Sequence, residues 1–242
     1  MMDLDNIYCI DCFKGFKALN EGSVDLIITD PPYEVNYMAK QQQMREFDHG
    51  TLKHNVESVD CGQCIDFGEL ANQFFRILKN NSHCYIWCSE KQMIKIVPLF
   101  EAAGFRFMQQ LIWVKNRGTL DATFGGKYCY CHEIILFFSK GWKKLNMRNG
   151  RKTVFIHNIY GSEQGSYIHP TQKPISILSK LVINSSIKGD VVFDPFSGSG
   201  NHLIAAKRLG RKFIGFELSK QYYDVIVARL LLEEQQRHLS CF

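Results

Sequence analysis

The sequence predicts a doubly wound α/β domain with a mostly parallel, seven-stranded sheet. Three observations carry this. Short β-rich apolar runs alternate with segments of helical spacing along nearly all 242 residues. Residues 24–29 and 191–193 are almost continuously apolar, as strands covered on both faces of a parallel sheet are. Both runs end in loops of unusual composition, Asp30-Pro31-Pro32-Tyr33 and Asp194-Pro195-Phe196-Ser197-Gly198-Ser199-Gly200.

The elements follow in order. Residues 6–10 form a short strand ending at Asp11, and residues 13–20 a short helix. Residues 24–29 form the second strand, and the polar stretch 34–64 is a long loop of the kind that carries function. Phe67, Leu70, Phe74, Ile77 and Leu78 share one face of a helix over 66–78. A strand at 83–88 precedes a helix at 91–103, which Gly104 ends. Strands at 105–114 and 133–138 flank a glycine-marked loop at 116–128. Residues 143–168 are polar and basic, with turns at Gly161 and Gly165. A helix at 175–187, a strand at 191–193, a helix at 201–209, a strand at 213–216 and a long helix at 222–236 complete the chain.

Composition narrows the class. With 45% hydrophobic and 13% aromatic residues the chain can bury a sizeable core. A net charge of +5 permits an anionic partner without demanding one. No apolar run is long enough for a membrane span, and the N-terminus lacks the pattern of a signal peptide. Nine cysteines then read as reduced thiols in a cytoplasmic protein. Cys9 with Cys12 and Cys61 with Cys64 have zinc-type spacing, but the pairs lie far apart and one falls in a strand-like stretch. No metal is expected.

Residues 191–217 make a nucleotide-type βαβ half: strand, Gly-x-Gly turn, helix, strand, then the acidic Glu217 with Leu218 after it. Gly198 and Gly200 allow a sharp turn and close backbone approach. The helix beginning at Asn201 points its free N–H groups at that turn and favours a carboxylate there. A carboxylate at Glu217 can accept both hydroxyl hydrogens of a ribose. No third glycine follows at the dinucleotide spacing, which counts against NAD and FAD. Upstream, His169-Pro170-Thr171-Gln172-Lys173-Pro174 punctuates a helix start. In Asp30-Pro31-Pro32-Tyr33 two prolines fix the backbone and remove two N–H donors, leaving a rigid turn with carbonyls to offer.

These two motifs, with the acidic-proline turn first and the glycine turn second, resemble the β class of S-adenosylmethionine-dependent DNA amino-methyltransferases. The resemblance covers residues 6–142 and 167–233, including Trp113-Val114-Lys115 and His132-Glu133. It implies a single methyltransferase domain over 1–242, with a Rossmann-like sheet in circularly permuted order. It implies S-adenosylmethionine as cofactor, held by Asp11, Cys12, Asp30, Thr171, Lys173, the turn 194–200, Glu217 and Leu218. It makes Asp30, Pro31, Pro32 and Tyr33 catalytic. Asp30 and the Pro31 carbonyl would each accept a hydrogen of an exocyclic amine and aim its lone pair at the cofactor methyl, while Tyr33 stacks on the base.

The expected substrate is adenine N6 in DNA, flipped out of the duplex. Cytosine N4 is the alternative, and Asp in place of Ser at position 30 favours adenine. A non-catalytic, cofactor-sensing DNA-binding module is the reading from another class. DNA is the implied partner, double-stranded, with single strands left open; a homodimer is compatible and no membrane is expected. Loops 34–64 and 116–128 and the basic stretch 143–152 are candidate DNA contacts. The target-recognition insert expected at about 143–168 is shorter than in many relatives, so weak sequence specificity is anticipated.

Overall fold

A computed structural model describes residues 2–32, 65–115, 128, 130–147, 151–157 and 172–239. Among these, eight strands form one sheet in the order β1-β8-β7-β2-β3-β5-β4-β6. The strands are β1 (Asn6–Cys9), β2 (Val24–Thr29), β3 (Leu78–Cys88), β4 (Arg106–Val114), β5 (His132–Lys140), β6 (Val154–Ile156), β7 (Val191–Asp194) and β8 (Lys212–Glu217). The helices are α1 (Cys12–Phe16), α2 (Phe67–Ile77), α3 (Glu90–Ala102), α4 (Ile175–Ser185), α5 (Asn201–Arg208) and α6 (Lys220–Leu239). All pairings are parallel except those of β5 with β3 and with β4.

The central strands are buried on both faces, and side-chain alternation divides their residues between two cores. Ile27 and Phe193 point to one face, with Phe16, Leu70, Phe74 and Phe100 of α1, α2 and α3. Leu26, Ile28 and Val192 point to the other, with Leu178, Leu203 and Ile226 of α4, α5 and α6. This is the doubly wound arrangement the alternation of elements predicts.

Local chemistry sets the helix starts. Asp66 caps α2 by accepting from the Gly68 and Glu69 N–H groups at 2.9 and 3.0 Å. Ser89 and Gln92 form a reciprocal capping box on α3. Asp11 accepts from the Lys14 N–H, so α1 begins at Cys12 and ends at Phe16, shorter than the expected 13–20.

The sheet has one strand more than the seven expected. The addition, β6, lies inside the presumed insert and pairs with β4 through Ile112↔Val154 and Val114↔Ile156. Its three residues bury only Phe155, and the surrounding basic residues hid so short a signal. β3 also begins earlier than expected, at Leu78, because Lys79, Asn80 and Asn81 are exposed there and carry no apolar pattern.

The strand order bears out the permuted reading. β7 and β8 continue into β1 on one side, while β2 lies against β7 on the other. The sheet therefore changes direction of winding between β7 and β2, where open α/β sheets form a ligand crevice at the strands' carboxyl ends.

Candidate active site

Asp30 follows β2, Asp194 closes β7, Glu217 closes β8 and Asp11 lies just beyond β1. These four strands are adjacent and parallel, so every acidic position singled out in the sequence lies on one edge of the sheet. Because β5 runs antiparallel, its start lies on that same edge. Register places His132 opposite Val114 and Ile134 opposite Cys88. Glu133, at the start of β5, and Lys115, just after β4, thus join the site although sequence reading gave neither a role.

The glycine turn is built around two carboxylates. Asp194 is fully buried. Its Oδ1 accepts from Thr29 Oγ1 at 2.6 Å and from the Phe196 N–H at 3.1 Å, and its Oδ2 is hydrogen-bonded to His202 Nδ1 at 2.7 Å. The Thr29 bond joins β2 to β7 directly. Glu217 accepts from the Gly198 N–H and the Ser219 N–H, each at 2.8 Å. Burial pushes the Glu217 carboxyl above its usual range, and the two backbone N–H groups oppose that shift.

Gly200 caps α5 with φ of 78°, a conformation that favours glycine. A Cβ there would lie 2.7 Å from Ile226 Cγ2, so α6 closes over the turn. Pro195, Ser197 and Ser199 are buried and Phe196 is half-buried. The Arg229 guanidinium donates to the Ser199 carbonyl. Leu218 is exposed.

Asp30 is held differently. Its Oδ2 lies 2.7 Å from Lys173 Nζ, whereas its Oδ1 is buried with no hydrogen-bond donor among the described residues. Lys173 Nζ is also 2.9 Å from Glu133 Oε2, and Glu133 Oε1 is 2.5 Å from Lys115 Nζ. The result is a chain of alternating charge, Asp30–Lys173–Glu133–Lys115. Only 2% of the Lys173 side chain is exposed, which makes neutral surroundings untenable for it and two carboxylates sensible. Asn201 Nδ2 donates to the Lys173 carbonyl at 2.6 Å and fixes the backbone from which this lysine projects.

Burial pushes the Asp30 carboxyl above its ordinary value; Lys173 opposes that and Glu133 reinforces it. Burial, and secondarily the Asp30 charge, pushes the neighbouring Cys88 thiol up to about 12, so it stays protonated. The Asp-Pro-Pro turn is pinned from α3, where Gln92 Nε2 donates to the Pro32 carbonyl at 3.1 Å. Gln92 and Thr29 are further members that sequence reading missed. A buried amide in a capping box and a threonine ending an apolar strand are ordinary features by themselves.

The other expected contacts divide. Asp11 is half-buried and is engaged as the cap of α1. Cys12 is buried, and burial pushes its thiol up to about 12. Lys173, expected beside the cofactor, has its ammonium at Asp30. Tyr33, Thr171, Cys61, Cys64 and the loop 34–64 lie outside the described residues, as does 116–127. In the basic stretch, Lys143 Nζ donates to the Ser185 carbonyl at the end of α4, and the Lys143 carbonyl is hydrogen-bonded to His83 Nε2 in the middle of β3, away from Asp30. Arg151 is folded back onto the Leu145 and Met147 carbonyls. Lys144 and Lys152 are exposed. Among the described residues no helix is long and apolar enough to cross a membrane.

This geometry agrees with what the chain resembles. Residues 24–228 match the family model described as DNA methylase. Type II methyltransferase M.HpaI of Haemophilus parainfluenzae is 30% identical, aligned over 93% of this chain and 73% of its own length. Type II methyltransferase M.HinfI of Haemophilus influenzae is also 30% identical, over 94% of this chain and 68% of its own. Among solved structures, M1.HpyAVI in complex with SAM superposes with a TM-score of 0.68 at 27% identity, covering 93% of this chain and 98% of that one. The cytosine-N4-specific PvuII DNA methyltransferase shares the fold, with a TM-score of 0.69 at 16% identity over 94% of this chain and 86% of its own.

Proposed function

The chain belongs to the DNA methylase family, and from that premise we propose that it methylates the N6 amine of adenine in DNA, with S-adenosylmethionine as methyl donor. The observation that carries this reading is Asp30 Oδ1, a buried carboxylate oxygen with no donor among the described residues, beside the β7 turn.

The site's groups fit both ligands. Each Glu217 oxygen takes one backbone N–H and keeps a second lone pair for a ribose hydroxyl. The N-terminus of α5 favours the cofactor's carboxylate. When bound, the cofactor supplies an electrophilic methyl group on a sulfonium sulfur.

An aryl amine is a poor nucleophile because its lone pair is delocalised into the ring. Asp30 accepts one amine hydrogen, and the Pro31 carbonyl accepts the other. Both contacts favour a pyramidal nitrogen whose lone pair is no longer shared with the ring. As the nitrogen–carbon bond forms, Asp30 is placed to receive the proton that the nitrogen releases. Gln92, bonded to the Pro32 carbonyl, keeps the turn from yielding. Tyr33 offers its ring to the base, which must leave the duplex to reach this edge.

The carboxylate at position 30, rather than a hydroxyl, is the reason for favouring adenine. The test is direct. Protein is incubated with unmethylated DNA and methyl-tritiated S-adenosylmethionine, and the digested DNA is resolved by mass spectrometry. N6-methyladenine is expected. N4-methylcytosine would transfer the same geometry to the other base, and no tritium in DNA would leave a binding module.

A further inference from the structure

The charge chain behind Asp30 is more than is needed to hold three strand ends together. Two lysines and two carboxylates lie at most 16% exposed, where a well-packed apolar set would join the strands as well or better. What such a set could not do is influence Asp30. An ammonium paired with Asp30 alone would neutralise it and hold it firmly. Here the Lys173 ammonium is within ion-pair distance of Asp30 and Glu133 at once, at 2.7 and 2.9 Å. Lys115, 2.5 Å from the far oxygen of Glu133 and over the Trp113 ring, keeps Glu133 in place.

We propose that Glu133 is a positioning residue for methyl transfer: by sharing the Lys173 ammonium that favours the ionised form of Asp30, it leaves Asp30 incompletely neutralised, and so a stronger acceptor for the amine hydrogen. The inference rests on the reading of Asp30 as that acceptor. The groups facing Asp30 are Lys173 from the segment before α4, Glu133 from β5, His202 from α5 and the Cys88 thiol at the end of β3. Charge directions agree with the geometry. Burial would raise Glu133, but Lys173 and Lys115 together hold it below its ordinary value. Burial would lower Lys173, but Asp30 and Glu133 hold it above its own. Lys173 thus keeps its proton while Glu133 stays ionised.

The sign of each perturbation is fixed. Glu133→Gln removes a negative charge near Asp30 and leaves Lys173 to it alone, so Asp30 should titrate at lower pH. Lys173→Gln removes the positive charge, so Asp30 should titrate at higher pH. The Asp30 carboxyl resonance, read in free protein carrying ¹³C-labelled aspartate, should move in these opposite directions. The acidic limb of kcat on DNA should follow. Glu133→Gln should also lower kcat at neutral pH on the order of 10- to 100-fold, with KM for the cofactor little changed.

Should Glu133→Gln not fold, the double variant Lys115→Gln/Glu133→Gln removes one charge of each sign and should show the same downward movement. An Asp30 midpoint that stays fixed, or moves the same way in both single variants, overturns the inference while transfer by the unmodified protein sustains the function. Unmodified protein that transfers no methyl group overturns both.

Discussion

Two aspartate–proline steps stand side by side at the edge of the sheet and are treated in opposite ways. Asp194-Pro195 follows β7 and Asp30-Pro31 follows β2, its immediate parallel neighbour. The Asp194 carboxylate is saturated by a threonine hydroxyl, a backbone N–H and a histidine. Asp30 has a lysine on one oxygen and no donor among the described residues on the other. Both stand at strand ends with buried carboxylate oxygens, so position does not separate them. The difference lies in whether the lone pairs are already occupied.

That contrast can be broken from either side. The largest effect is expected from Asp194→Ala, which leaves Thr29 and His202 without their acceptor. Loss of a buried, charge-assisted set costs about 3–5 kcal/mol, read as a lowered denaturation midpoint, and cofactor affinity should fall with it. Asp30→Ala should instead cost less stability, because Glu133 remains a partner for the buried Lys173 ammonium, and should leave cofactor binding by calorimetry nearly unchanged. It should reduce kcat on DNA by about 10²–10³-fold, the scale of a lost transition-state contact. If the two variants lost stability and activity to the same extent, the distinction between the two aspartates would fail.

Thr29→Val is the finer probe, because its hydroxyl bonds Asp194 across the crevice. It should cost about 1.5–3 kcal/mol, the range for a hydrogen bond to a charged group, with a smaller loss of activity than Asp30→Ala. Gln92→Ala is expected to have the smallest effect. It removes half of the α3 capping box and the bond to Pro32, costing about 1 kcal/mol. Its kcat should fall more than its KM for cofactor rises, since it supports the Asp30 turn and not the glycine turn.

The same contrast explains what was legible in the sequence. Asp30 and Asp194 could be read because each ends an apolar run and each is followed by residues that fix a turn. The permuted sheet could be read because the two motifs appear in inverted order, and the strands fall where that order requires. Glu133 and Lys115 could not be assigned. A charged residue at a strand end looks like a solvated terminus until register brings β4 and β5 together on the edge that carries Asp30. One signal was available: both adjoin strongly apolar strands, where a charge that cannot reach water must find a partner. β6 escaped because three residues with one buried side chain leave no periodicity to detect.

The strand order also has a consequence in time. β1 is made first, yet its pairing partner in the sheet is β8, whose Ile214 to Glu217 lie opposite Asn6 to Cys9. β2 follows early and finds β3 soon after, but its other edge is filled by β7. On the ribosome, β1 and one flank of β2 must therefore wait until β8 and β7 have been made. Contacts so distant in sequence slow folding and leave apolar strand edges open in the interval. A ribosome stalled before β7 should carry a nascent chain that chaperones and proteases find readily, and release of β7 and β8 should end that vulnerability in one step.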